Sequence, residues 1–311
     1  MTTRALPRFS FFLVLITSLT AHAQDPINDR PDEPGSGPYP AIKQIMPSLP
    51  DQVIYHPQDL DALGETKLGV VAWGNGGCVF NGASSRFHLL ELASHGYLAI
   101  AAGGIFSGPD GDPAGLLDAD GNTRRSSWTS LSEAIDWSLA QNDDPDSPFY
   151  QRIDPDMIAL SGYSCGGAQV NRVAADPRVK TLVMHNTGVF VDGPPSADIE
   201  DMVITKDILV DIHTPVIYIL GGETDIAYEN GMDDFARIDH VPVAVANIDA
   251  GHSGTFDMPN GGKAATVAVN WLQWHLRGNR KAALYFIGHD CDLCRDEDWT
   301  LERKFGGVAA P

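Results

Sequence analysis

Five consecutive residues, Gly162-Tyr163-Ser164-Cys165-Gly166, set a serine between two glycines in the pattern G-x-S-x-G. A serine hydroxyl is a poor nucleophile at neutral pH. It becomes useful when a sharp strand-to-helix turn pushes it out over a sheet, beside a base that takes its proton. The flanking residues predict that turn. Met157-Ile158-Ala159-Leu160 is an apolar run of strand type, and Gly167-Ala168-Gln169-Val170-Asn171-Arg172-Val173 suits a helix. Glycines two before and two after the serine let strand and helix approach closely, and a helix N-terminus favours developing negative charge.

The base and the acid that orients it are expected further along the chain. The run Pro215-Val216-Ile217-Tyr218-Ile219-Leu220 reads as a strand and ends in Gly221-Gly222-Glu223-Thr224-Asp225, which puts acids at a carboxyl edge. Asp225 is the expected acid, with Glu223 its competitor. The strand from Val241 to Ile248 runs into Asp249-Ala250-Gly251-His252-Ser253-Gly254, where glycines on both sides of His252 allow a loop to carry it over the serine. Asp249 is expected to point away or brace the turn. His88, His95 and His185 form no metal-ligand spacing. Of these, His185 follows a strand ending at Met184, so it packs or shapes the pocket.

Acyl transfer also needs two backbone N–H groups where the tetrahedral intermediate places its charge. One is expected from Cys165, the residue after the serine. The other belongs in the loop after the strand ending at Trp73, which reads Gly74-Asn75-Gly76-Gly77-Cys78. Asn75 is the nominated donor and Gly76 the alternative. No Gly-Lys-Ser/Thr follows and G-x-G-x-x-G is not met, so this loop does not read as a phosphate cradle. The four cysteines allow three pairings. Cys291 and Cys294 stand close enough to bridge locally, and neither a redox nor a zinc context surrounds them. That leaves Cys78 with Cys165, bonded across the two oxyanion segments or present as two free thiols. A bridge there would hold both donors together.

The elements that must position these groups alternate. Strand candidates at 52–56, 68–73, 97–102, 157–160, 179–184, 215–220 and 241–248 are separated by helical patterns near 84–95, 127–141, 165–175, 229–236 and 262–277. Several strands are apolar almost throughout, as buried parallel strands should be, which predicts an α/β fold: a mostly parallel, doubly wound sheet with helices on both faces. The acidic stretch 108–125 lacks EF-hand spacing and reads as a solvated loop or hairpin turning at Asp120-Gly121. Between the strands ending at Met184 and beginning at Pro215 there is room for a short cap only. Trp73, Phe80, Phe106 and Phe190 are candidates to line an open cleft, although each is individually a core candidate.

Arg4 and Arg8 precede an apolar run from Phe9 to Leu19, and Ala21-His22-Ala23 offers small residues for cleavage. Residues 1–23 therefore read as a secretory signal with cleavage near Ala23, too short to span a bilayer, and no stable membrane anchor is expected. Residues 24–40 read as a Pro/Asp-rich linker and 41–311 as one domain ending in a Cys-x-x-Cys tail, about 285–311. Export to the periplasm or the outside fits the cysteines, since both compartments are oxidising. Among 311 residues, 21 are basic and 41 acidic, a formal charge of −20, and removing the signal takes away two arginines and no acid. Such acidity argues against nucleic acid or anionic lipid as partners and leaves neutral or cationic substrates.

With Ser164, Asp225 and His252 in that chain order, and Gly74-Asn75 as oxyanion loop, residues 50–280 resemble the α/β-hydrolase superfamily. The Trp-Gly-Asn-Gly-Gly-Cys loop, the helix Ser132-Glu133-Ala134-Ile135-Asp136-Trp137 and the compact length look like its secreted esterase branch, which contains dienelactone-hydrolase-like, platelet-activating-factor acetylhydrolase and polyester hydrolase enzymes. Cys165 departs from the Met or Gln common after the nucleophile in polyester hydrolases, which weighs against polyester cleavage. The resemblance implies about eight strands and an exported serine carboxylesterase acting through an acyl-enzyme on a small or extended ester, with no cofactor or metal. The alternatives are a peptidase or amidase with the same triad and a non-catalytic binding protein of the same fold.

Overall fold

The computed structural model describes residues 30–190 and 204–306. The predicted signal, the start of the predicted linker, much of the predicted cap and the last five residues lie outside the described residues. Nine strands form one mixed sheet: β1 (Ala41–Met46), β2 (Leu49–Pro57), β3 (Leu68–Gly74), β4 (Tyr97–Ala102), β5 (Ile153–Tyr163), β6 (Val179–His185), β7 (Val216–Leu220), β8 (Val243–Ile248) and β9 (Trp299–Lys304). Their order is β1-β2-β4-β3-β5-β6-β7-β8-β9. From β4 through β8 every pairing is parallel, while β1/β2, β2/β4 and β8/β9 are antiparallel. The chain is thus of the α/β class, with one strand more than the expected eight.

Side-chain alternation along the strands feeds two cores. Val70 and Ala72 of β3 point to one face, where they join Leu131 and Ile135 of α2 (Thr129–Asp143) and Val170 of α3 (Cys165–Val173). Val71 and Trp73 point to the other, against Leu89 and Leu90 of α1 (Arg86–Ser94) and Trp271 of α5 (Gly262–Arg277). α4 (Tyr228–Arg237) adds Phe235 to the first face. A strand repeats its facing every second residue, so four apolar residues in a row fill both layers.

Both edge strands lie outside the strongly apolar runs. β1 is mostly half-exposed, and β9 alternates Trp299 and Leu301 with Thr300 and Glu302, as edges facing water do. The Cys-x-x-Cys segment is fastened to this edge: Cys291 and Cys294 are bonded, and the Arg303 guanidinium of β9 donates to both sulfurs. The predicted tail is therefore part of the sheet. Residues 30–40, expected as a plain linker, are tied to α1 by hydrogen bonds from Ser36 to Glu91 and from Gly37 to Ser94. In the acidic loop, Leu117 bridges Thr123, and Asp118 accepts from the Asp120 and Asn122 amides, so its carboxylate holds the turn. No helix among the described residues is long and apolar enough to cross a membrane.

Candidate active site

β5 ends at Tyr163 and α3 begins at Cys165, so one residue, Ser164, makes the whole turn. Its φ of 53° and ψ of −119° are strained for a residue with a Cβ, and three hydrogen bonds hold it there. Its amide donates to the His185 carbonyl at 3.0 Å, and its carbonyl accepts from the Gly167 amide and the Thr187 hydroxyl, each at 2.8 Å. The glycines serve close approach. A Cβ on Gly166 would strike the Gly74 carbonyl, so α3 can start against the end of β3 only with glycine at that position.

Ser164 Oγ lies 2.9 Å from His252 Nε2, and His252 Nδ1 lies 2.6 Å from Asp225 Oδ1. The three residues read from the sequence are brought into one hydrogen-bonded line at the carboxyl ends of β5, β7 and β8. Asp225 is buried. Burial works against its charge, but hydrogen bonds from His252, Ala227, Gly221 and Asn186 outweigh it and hold the carboxyl below the usual carboxylate range. Glu223 and Asp249 are exposed and neither reaches His252, which leaves the acid position to Asp225.

Four further residues act in this group that sequence reasoning did not single out. Asn186, at a φ of 44°, donates from Nδ2 to Asp225 Oδ2 at 2.9 Å and to the Gly251 carbonyl at 3.0 Å, tying the acid to the histidine loop. The Gly221 amide donates to the same Oδ2 at 3.1 Å. Thr187 holds the Ser164 carbonyl, as above. The Tyr163 hydroxyl donates to the His252 carbonyl at 2.9 Å, and burial, followed by Asp225 and Asp257, pushes that hydroxyl up to about 12. A usable signal existed for Asn186: a polar residue just past an apolar parallel strand lies at the carboxyl edge, where such sheets place ligands and reacting groups.

The two segments expected to supply oxyanion donors are joined. Cys78 and Cys165 are bonded with Cα atoms 5.2 Å apart, linking the Gly76–Cys78 turn to the first residue of α3. The Cys165 amide is among those a helix start leaves without an intrahelical acceptor. Asn75 is fully covered, and its side chain donates to the Val79 and Ala102 carbonyls at 2.9 and 2.8 Å, fixing the loop. Gly76 is partly exposed and borders a cavity of about 190 Å³. Tyr163 and Ser253 border it too, so three of its residues stand one position from Asn75, Ser164 and His252 respectively.

The expected aromatic cleft is corrected at Trp73, which is fully buried in the sheet core with His88, His185 and Phe256 around it. Phe80 and Phe106 face each other at 6.5 Å with the Arg124 guanidinium 4.2 Å over Phe80. His185 packs rather than lining the cavity: burial, followed by the neighbouring His88, lowers its basicity, and burial brings His88 down to about 3. His95 pairs with Glu91. Among the described residues, no three His, Cys, Asp or Glu side chains are grouped to hold a metal ion. No protein-family model matches the chain, and no curated protein matches it.

Proposed function

We propose that this protein is an exported serine hydrolase of α/β-hydrolase type that cleaves carboxylic esters through an acyl-enzyme. The observation that carries the reading is the continuous line from Ser164 Oγ to His252 Nε2 and from His252 Nδ1 to Asp225, beside a helix N-terminus. His252 Nε2 takes the Ser164 proton as Oγ attacks the ester carbonyl, and Asp225 keeps Nδ1 protonated and stabilises the imidazolium. The Cys165 and Asn75 amides receive the oxyanion, each donor of this kind contributing on the order of 10²- to 10³-fold in rate. His252 then protonates the leaving alcohol, and water repeats the sequence on the acyl-serine.

The two disulfides fit an oxidising compartment outside the cytoplasm. The test is a matched pair, p-nitrophenyl acetate and p-nitroacetanilide. The ester should be hydrolysed, the anilide far more slowly, and Ser164→Ala should remove ester turnover by at least about 10³-fold. Anilide turnover equal to ester turnover would replace the esterase reading by an amidase.

A further inference from the structure

The loop that carries His252 runs on through Phe256 and Asp257 to the Pro259–Gly261 turn, where α5 begins. From inside, it is held by the Tyr163 hydroxyl at the His252 carbonyl and by Thr255, whose buried hydroxyl donates to the Gly261 carbonyl at 2.7 Å. From outside, it is held by residues near the start of the chain. One Arg30 amino group donates to the Asp257 carbonyl at 2.5 Å, and a Glu33 carboxylate oxygen accepts from the Asn260 amide at 2.7 Å. The other Arg30 amino group donates to the second Glu33 oxygen at 2.8 Å, so the two side chains form one unit that grips the turn on both sides. Asn260 has a φ of 52° and a ψ of 30°, a left-handed conformation uncommon for residues with a Cβ, and Glu33 gives its amide an ionised acceptor there.

This strap is itself anchored to the body of the fold. Asp32 lies between the Lys43 ammonium of β1 and the Arg86 guanidinium of α1, cations that are only 5% and 4% exposed. Arg86 also donates to the Arg30 carbonyl at 3.0 Å, and the Arg30 guanidinium sits 4.3 Å over the Phe87 ring. Ser36 then fastens the segment to Glu91. An isolated exposed ion pair contributes little. Here a partly covered pair holds two backbone groups of one loop and rests on covered cations. Its hold reaches the base by a short path: Phe256, the neighbour of Asp257, stacks its ring 4.7 Å from that of Tyr163, and Tyr163 holds the His252 carbonyl.

Resting on the ester reading above, we infer that Arg30 and Glu33 are positioning residues for His252, and that residues 30–37, expected as a linker, form a strap across the loop that carries the base. The double variant Arg30→Ala with Glu33→Ala should lower kcat for p-nitrophenyl acetate about tenfold and change KM less than about twofold, because a misplaced base slows the chemistry and not ester binding. Glu33→Gln, which keeps an oxygen for the Asn260 amide, should recover most of the kcat that Glu33→Ala loses. Cys291→Ser with Cys294→Ser, at the β9 edge, controls for lost stability: the urea-unfolding free energy should fall while kcat is unchanged. Unchanged kcat in the double variant, a Glu33→Gln no better than Glu33→Ala, or a kcat loss shared by the disulfide control would overturn the strap, while Ser164-dependent turnover by the unaltered protein keeps the esterase reading. Absence of that turnover would remove the esterase reading and the strap's role with it.

Discussion

At the scale of single residues, the proposed chemistry depends on how Asp225 is held. Four donors keep a buried carboxylate charged against the cost of burial, and one of them, the Asn186 amide, also ties down the Gly251 carbonyl. Asn186→Ala should therefore lower kcat/KM for p-nitrophenyl acetate by about tenfold, the worth of one hydrogen bond to a charged group. Asn186→Asp should cost more, because a second carboxylate beside Asp225 disfavours its charge. Asp225→Asn should cost about 10⁴-fold, whereas Glu223→Gln, exposed and outside the group, should leave kcat/KM within about twofold. Steady-state rates on the four variants check the order. Ser164, Asp225 and His252 were legible because glycine-rich turns after apolar strands mark carboxyl-edge loops locally. Asn186 could be placed at the carboxyl edge from its position just past β6, but its partners could not, because they are set only once β6 lies between β5 and β7.

At the scale of elements, the two segments proposed to hold the oxyanion follow β3 and begin α3, which meet through Gly74 and Gly166 and are bonded by Cys78–Cys165. The bridge closes a loop with a sequence separation of 87, for which chain entropy gives about 4.6 kcal/mol of stability. Cys78→Ser with Cys165→Ser should lower the urea-unfolding free energy by about that amount. In the same variant kcat should fall while KM changes little, since the loosened amides act on the intermediate and not on the bound ester. Gly166→Ala should prevent the close contact of α3 with β3 and abolish activity, read alongside circular dichroism. The cysteine pairing was legible from spacing, because Cys291 and Cys294 are too near to bridge elsewhere. The packing of the loop after β3 was not: the sequence marks a glycine-rich loop, but the full burial of Asn75 beside a partly exposed Gly76 depends on how β3 and Tyr163 pack around it.

For the molecule as a whole, the sheet was legible at its centre and hidden at its edges. β3 through β8 announce themselves by apolar runs buried on both faces, whereas β1 and β9 are half-polar edge strands, and β9 pairs with β8 about fifty residues earlier in the chain. Burial also sets an acid limit on stability. His88 and His275 are each lowered to about 3 by burial, and His185 is lowered too. Above about pH 6.5 these rings are neutral folded and unfolded, so they contribute nothing. As pH falls below that value, the unfolded chain takes up protons that the folded one refuses, and stability drops until the folded values are reached. At pH 5 this amounts to about 2 kcal/mol for His88, so thermal unfolding should occur at lower temperature there than at pH 7.5, and His88→Leu should flatten the slope. The proposed nucleophile is tested most directly on the intact protein, by mass spectrometry after treatment with a fluorophosphonate. One adduct per chain, mapped to the peptide holding Ser164 and lost in both Ser164→Ala and His252→Ala, is the expected result. An unmodified chain, or an adduct that persists on another residue when Ser164 is alanine, would contradict a serine hydrolase centred on Ser164.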